Sequence, residues 1–135
     1  MRGFRIVIAG HGDFPDGLLS AAQLICGTLA DVRTVALRPD DTPEAFHERL
    51  LEATPASDDP VLLLTDLVGG TPHNMCLLLA RRRPSAVLIS GVNLALLMEA
   101  AMSLDALDAA SVDRLVEGGR AALAEASSRL AARSP

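Results

Sequence analysis

The sequence predicts an α/β fold: an open, mainly parallel four-stranded sheet in the order 2-1-3-4, with helices on both faces. One observation is that short apolar runs of strand length alternate with longer segments of helical periodicity. Another is that two of these runs end in glycine-rich loops, as expected at the carboxyl edge of a parallel sheet. With 135 residues, half of them hydrophobic, the chain is predicted to form a single domain, 1–135.

The sequence patterns of the four predicted strands indicate different degrees of burial. Phe4–Ala9 and Val61–Thr65 are continuous apolar runs, which are typical of strands covered on both faces. Val32–Leu37 alternates apolar and polar side chains and is therefore predicted nearer an edge. Ala86–Ser90 is the fourth strand.

The segments between the strands carry helix signals. Thr42 and Thr71 each precede a proline, a pattern typical of an N-cap followed by the first helical residue. The predicted helices are Gly17–Leu29, Pro43 to about Ala53, Pro72 to about Arg82, a helix that follows Gly91-Val92-Asn93 through Ala101, and Ser111–Arg133 with a break at Gly118-Gly119.

Composition excludes several classes of function. A net charge of −5 argues against nucleic-acid binding, and 2% aromatic residues leave few platforms on which bases could stack. Cys26 and Cys76 lie in apolar, helix-like runs and are predicted to be buried free thiols. No signal peptide or run long enough to span a membrane is seen, so we expect a cytoplasmic protein.

The loops after the first and third strands carry the candidate chemistry. His11 lies between two glycines at a strand end, where little side-chain bulk surrounds it. Asp66 could accept a proton from Nδ1 of His11 and leave Nε2 of the same ring free to attack. Gly69, Gly70 and Thr71 precede a helix N-terminus, whose amides favour an anion. Together these residues indicate phosphoryl transfer through a phosphohistidine.

Structural roles for the same residues stay open. His11 could be a structural hydrogen-bonding residue, Asp66 could cap the next turn, and the Gly-Gly-Thr-Pro stretch could simply start a helix. No Gly-Lys-[Ser/Thr] follows, so a nucleotide site is not predicted. A metal site formed by His11, Asp13, Asp66 and His73 lacks HxH or HExxH spacing, and no metal or cofactor is predicted. His73 is expected on the surface of a first helical turn, and His47 on a solvated helix face.

Three segments, IVIAGHG, TDLVGGTPHN and LISGVNLALLMEA, resemble the EIIA domain of the mannose-type sugar phosphotransferase system (PTS). The resemblance covers nearly the whole chain. It implies that His11 receives a phosphoryl group from the carrier HPr and passes it to a histidine of an EIIB domain, which phosphorylates sugar entering through the membrane proteins EIIC and EIID. It also implies that Asp66 hydrogen-bonds the ring and that Thr71 matches the family's hydroxyl residue.

The resemblance further implies a homodimer in which C-terminal elements around Gly118–Leu130 are exchanged. No EIIB domain follows, so a stand-alone EIIA is expected. Two alternatives are a regulatory module that signals through phosphorylated His11 and the related phosphotransfer subunit of dihydroxyacetone kinase. The transported sugar is not predicted, because EIIA does not contact sugar.

Four residues depart from the family pattern. Ala9 stands where many members have a hydroxyl residue, and Ala95 where proline is common. Val68 and His73 each replace a usual aromatic residue. These changes alter the rim of the site, so they bear on partner choice more than on the chemistry.

Overall fold

Residues 2–128 are described by a computed structural model, and in that range four strands alternate with helices. The elements in chain order are β1 (Arg5–His11), α1 (Phe14–Cys26), β2 (Val32–Leu37), α2 (Pro43–Ala53), β3 (Val61–Thr65), α3 (Gly70–Arg82), β4 (Ala86–Ser90), α4 (Leu94–Ser103) and α5 (Ala109–Ala121).

The strands form one open sheet in the order β2-β1-β3-β4, and every neighbouring pair is parallel. This confirms the predicted topology and the edge position of Val32–Leu37. In the register of β1 with β3, Ala9 pairs with Thr65. The strand order reverses between these two strands, so the residues that follow them meet at one edge of the sheet.

Hydrophobic cores cover both faces of the sheet. Alternate residues of β1 and β3 point to opposite faces, which explains why both strands read as continuous apolar runs. One face packs against α1, α4 and α5, and the other against α2 and α3. The first core contains Ile6, Ile8, Leu62, Leu64, Ala22, Leu96, Leu97, Ala100 and Leu115; the second contains Val7, Ala9, Leu63, Phe46, Leu50, Cys76 and Leu79.

The predicted bounds of the first strand and helix are wrong. β1 continues two residues past Ala9 to His11, because its edge stays paired with β2 as far as Leu37. α1 begins at Phe14 rather than Gly17, since Pro15 occupies its first turn, a favourable proline position that the periodicity did not indicate. It ends at Cys26, before Gly27 with φ of 85°.

Of the two predicted threonine caps, one is confirmed and one is wrong. Thr42 accepts a hydrogen bond from the Ala45 amide at 3.1 Å and caps α2. In α3, Gly69 is the N-cap and the helix begins at Gly70, so Thr71 lies inside the first turn. Gly69 and Gly70 both adopt positive φ, which lets the chain turn into the helix earlier than the threonine-proline pattern indicates.

The predicted break at Gly118-Gly119 is wrong, because α5 runs through both glycines to Ala121. A Cβ atom on Gly119 would lie 3.0 Å from Cδ1 of Leu96, so the glycine allows α4 and α5 to approach closely. The helix begins at Ala109 and is capped by Asp108. Leu130, part of the predicted exchange segment, lies outside the described residues.

The two cysteines differ in burial. Cys76 is fully buried, as predicted, and burial raises the pKa of its thiol to about 12. Cys26 is only half-buried, and its thiol donates to the Ala22 carbonyl at 3.0 Å. Across residues 2–128, the helices are all too short or too polar to cross a bilayer.

Candidate phosphoryl-transfer site

His11 is the last residue of β1 and lies at the carboxyl edge of the sheet. Its backbone amide donates to Asp66 Oδ2 at 2.8 Å, and its ring Nδ1 lies 2.8 Å from the same oxygen. Two contacts to one oxygen fix both the backbone and the ring. Because 47% of the side chain remains exposed, the other edge of the ring stays accessible.

Asp66 directly follows β3, and its side chain is only 11% exposed. Partial burial raises the pKa of its carboxyl group, but the hydrogen bonds from the His11 amide and ring, the charge of the ring and the Leu67 amide together lower it below 3.8. The carboxylate is therefore ionised at neutral pH and only accepts hydrogen bonds. Nδ1 of His11 must then carry the shared proton, so a neutral ring has its lone pair on Nε2.

Two glycines allow this close packing. Gly10 is buried, and a Cβ atom there would lie 3.1 Å from Cγ and Oδ2 of Asp66. Gly70 has φ of 81°, and its Cβ would lie 3.3 Å from Cε1 and 3.5 Å from Nε2 of His11. The first residue of α3 thus lies against the accessible edge of the imidazole.

The N-terminus of α3 supplies positive potential beside Nε2. The first turn of a helix has backbone amides without intrahelical partners, and the helix dipole adds partial positive charge there. No side chain hydrogen-bonds these amides as a cap. Of the predicted cradle, Gly70 approaches the ring, while Gly69 and Thr71 flank it along the chain. An anion bonded to Nε2 would meet this helix end.

Exposed apolar side chains lie close in sequence to both site residues; the sequence predicted Val68 as part of the rim of the site, but not Phe14 or Leu67. Phe14 opens α1, and its Cδ1 would lie 3.3 Å from a Cβ on Gly10. Leu67 and Val68 follow Asp66 and are 50% and 75% exposed. The sequence signal for this feature was the presence of apolar residues in loops that are otherwise polar or rich in glycine. Such a rim suits contact with another protein.

Two histidines differ from the expectation of solvated positions. His73 is half-buried in α3, where its Nδ1 lies 2.6 Å from the Ser90 hydroxyl. His47 is half-buried because α2 packs beside α3, and it borders a groove with Met75 and Leu78. Contacts with neighbouring elements, which helical periodicity alone does not reveal, partly bury both side chains.

Of the four alternative metal ligands, the structure places His11 and Asp66 in contact but groups neither Asp13 nor His73 with them. Asp13 is 96% exposed and faces Arg38 at 3.9 Å, and His73 bonds to Ser90. Within residues 2–128 there is no group of three or more histidine, cysteine or acidic side chains arranged to hold a metal ion.

A protein-family model described as "PTS system fructose IIA component" (EIIA-man) matches residues 5–117. The sorbose-specific EIIA component of Lacticaseibacillus casei is 25% identical over 112 residues, which are 82% of this chain and 79% of that protein. The mannose-specific EIIAB component of Escherichia coli K12 is 31% identical over 113 residues, again 82% of this chain but only 34% of that longer protein.

Solved structures show the same architecture. The crystal structure of the phosphotransferase system component EIIA from Streptococcus agalactiae superposes with a TM-score of 0.84 at 30% identity. The superposition covers 93% of this chain and 98% of that one. The similarity therefore extends over the sheet, the helices and the edge that carries His11.

Proposed function

The chain belongs to the mannose-type EIIA family of the sugar phosphotransferase system, and from that membership we propose that it carries a phosphoryl group on His11. The donor in this proposal is phosphorylated HPr, and the acceptor is a histidine of an EIIB domain. EIIB then phosphorylates sugar that enters through EIIC and EIID, which this protein serves indirectly. Such a carrier works in the cytoplasm.

The hydrogen bond between His11 and Asp66 is the observation that carries the proposal. With the Nδ1 proton held by an ionised carboxylate, the lone pair on Nε2 attacks phosphorus. The Nε2–P bond forms as the bond from phosphorus to the donor breaks, and that electron pair leaves with the donor. The ring gains positive charge in this step, which the adjacent carboxylate stabilises.

The start of α3 is proposed to receive the phosphoryl oxygens. Negative charge on these oxygens is compensated by the unpaired amides and the dipole of the helix. Gly69, Gly70 and Thr71 are the residues we assign to this cradle, with Gly70 supplying the close approach to Nε2. No metal or cofactor is needed in this scheme, since transfer passes directly from one histidine carrier to the next.

The apolar rim is proposed as the docking surface for both partners. HPr and EIIB must each bring a reacting group to the same Nε2 atom, so they use the same face in turn. Phe14, Leu67 and Val68 are exposed, follow His11 and Asp66 closely in sequence, and offer apolar contact area. Since Val68 departs from the aromatic family pattern, the complementary surface of the partners is expected to differ as well.

A homodimer is the second part of the proposal. Among residues 2–128, β4 has a neighbouring strand on one side only, and a groove of about 590 Å³ runs between its other edge and α5. Its apolar lining includes Leu88, Val112, Val116 and Leu123. An unpaired strand edge beside an apolar groove favours addition of another chain segment. We propose that the C-terminal segment of a second copy lies there, with residues 1–135 forming one domain per protomer.

The labelling experiment tests the assignment of His11. The protein is incubated with phosphoenolpyruvate, enzyme I and HPr, and acid-labile phosphate is measured. His11→Ala should abolish labelling, while His47→Ala and His73→Ala should remain labelled. Labelling that persists in folded His11→Ala would contradict the assignment.

A further inference from the structure

A chain of hydrogen bonds joins three elements behind the proposed site. Thr65, the last residue of β3, is fully buried, and its hydroxyl lies 2.6 Å from that of Ser90 at the end of β4. The Ser90 hydroxyl in turn lies 2.6 Å from Nδ1 of His73 in α3. The backbone carbonyl of Thr65 also accepts from the amides of Gly91 and Val92, both at 2.9 Å.

Both ends of this chain are next to site residues. Thr65 immediately precedes Asp66, which orients the His11 ring. His73 lies three residues after Gly70, where a Cβ atom would lie 3.5 Å from Nε2 of His11. α3 has no side-chain cap, and the hydrogen bond between His73 and Ser90 joins its first turn to the end of β4. The chain therefore links the two halves of the site.

The hydrogen bonds can run in either direction, and both directions need Nδ1 of His73. If Thr65 donates to Ser90, the serine proton is free to donate to an unprotonated Nδ1. If Nδ1 carries a proton and donates to Ser90, the serine donates to Thr65, whose hydroxyl has the Leu67 carbonyl at 3.5 Å. A ring without this nitrogen leaves the Ser90 hydroxyl with one side-chain partner fewer in both cases.

We propose that in this protein His73, which replaces a usual aromatic residue, is a positioning residue: through Ser90 and Thr65 it holds the N-terminus of α3 and the 66–70 loop in the arrangement from which phosphoryl transfer at His11 proceeds. The kinetic part of this inference rests on the proposed function. The positional part concerns the unphosphorylated protein and can be measured on its own.

Three variants distinguish the effect of losing the hydrogen bond from the effect of changing the shape of the ring. His73→Phe keeps the ring size and removes the nitrogen, and Ser90→Ala removes the central hydroxyl. His73→Asn places an amide group near the position of Nδ1 and should restore the bond. His47→Phe, on α2, is the matched control because it makes the same exchange at a position outside the chain of hydrogen bonds.

We expect His73→Phe and Ser90→Ala to lower kcat for transfer from phosphorylated HPr about tenfold, the effect of losing one hydrogen bond in the aligned state. KM should change little, because His73 does not belong to the exposed rim. His73→Asn should recover most of the rate, and His47→Phe should leave it unchanged. Thermal unfolding establishes that each variant is folded.

Backbone amide NMR of residues 66–70 provides the independent measurement. These signals should shift and broaden in His73→Phe and Ser90→Ala, and return towards the wild-type positions in His73→Asn. Signals and rates that are unchanged in folded His73→Phe would overturn the inference, as would a failure of Asn to restore them. If the wild-type protein accepts no phosphoryl group, the proposed function fails, and the NMR comparison still decides the positioning role.

Discussion

At the residue scale, one carboxylate oxygen determines the state of the proposed nucleophile. Asp66 Oδ2 accepts from both the backbone amide and the ring of His11, so the carboxylate orients the imidazole and also holds the end of β1. The hydrogen bonds that lower the pKa of Asp66 keep it ionised at neutral pH. An aspartate that only capped the next turn would not need the contact to the ring.

Replacement of Asp66 by asparagine tests this role. Asp66→Asn keeps the size and a hydrogen-bond acceptor but removes the charge, so the protein should fold and transfer should slow about 10²-fold or more, by analogy with tautomer control in catalytic triads. Rapid-quench measurement of transfer from phosphorylated HPr gives the rate. An unchanged rate in the folded variant would leave Asp66 as a structural cap.

The pH dependence of stability provides the control for the same variant. Since the folded protein holds the pKa of Asp66 below 3.8, the carboxylate contributes stability above that pH and loses it as the pH falls through the lower folded value. The difference in free energy of unfolding between wild type and Asp66→Asn should therefore shrink below pH 3.8. Urea titrations at several pH values measure this difference.

At the element scale, the start of α3 contains two positions at which an effect on helix stability can be measured separately from an effect on phosphoryl transfer. Two successive glycines with positive φ, Gly69 at 85° and Gly70 at 81°, lead into this helix. A Cβ on Gly69 would have nothing within 4 Å, whereas one on Gly70 would contact the His11 ring. The two positions thus share the backbone requirement and differ in their distance from the nucleophile.

Alanine at the two positions should have matched effects on stability and different effects on transfer. Each substitution should cost about 1–2 kcal/mol, because alanine disfavours positive φ. Gly70→Ala should in addition slow transfer by about ten- to a hundredfold through displacement of the ring or the helix start, while Gly69→Ala, whose Cβ would meet nothing within 4 Å, should slow transfer less. Equal rates for the two variants would refute a role for the close approach. Thermal melts and quenched-flow labelling provide the two measurements.

At the scale of the whole molecule, the sheet is unequally covered. Its central strands are buried on both faces, whereas one edge of β4, beside the apolar groove along α5, has no neighbouring strand within residues 2–128. Leu123 lies just after α5, borders this groove and is 85% exposed. In the proposed homodimer, a segment of the second copy covers this groove, so the Leu123 side chain is exposed only in the isolated protomer.

The homodimer is tested by a pair of equally exposed leucines. Leu123→Glu should weaken the dimer without unfolding the protomer, while Leu24→Glu, on α1 and 87% exposed, should leave it intact. Sedimentation velocity at micromolar concentration measures the oligomeric state, and an obligate interface of this kind buries on the order of 2,000 Å². Deletion of 118–135 should give an unstable or aggregating chain. A monodisperse full-length monomer would contradict the dimer.

The sequence by itself determined the order of elements and the edge of the sheet at which the candidate residues meet. Continuous apolar runs require strands covered on both faces, and a parallel arrangement of such strands brings their following loops to one edge. This is why His11 and Asp66, 55 positions apart in the chain, could be predicted as neighbours before any distance between them was known. These signals are local, so they can be read without the fold.

Only the tertiary structure decided the features that depend on contacts between distant segments. α5 continues through two glycines because it packs closely on Leu96, and His73 faces inwards because Ser90, 17 positions away, accepts or donates a hydrogen bond there. The start of α3 at Gly70 likewise brings backbone against the His11 ring, where a local cap pattern favoured Thr71. In each case the free energy of a long-range contact outweighs a local propensity of about 1 kcal/mol, and no sequence window contains both partners.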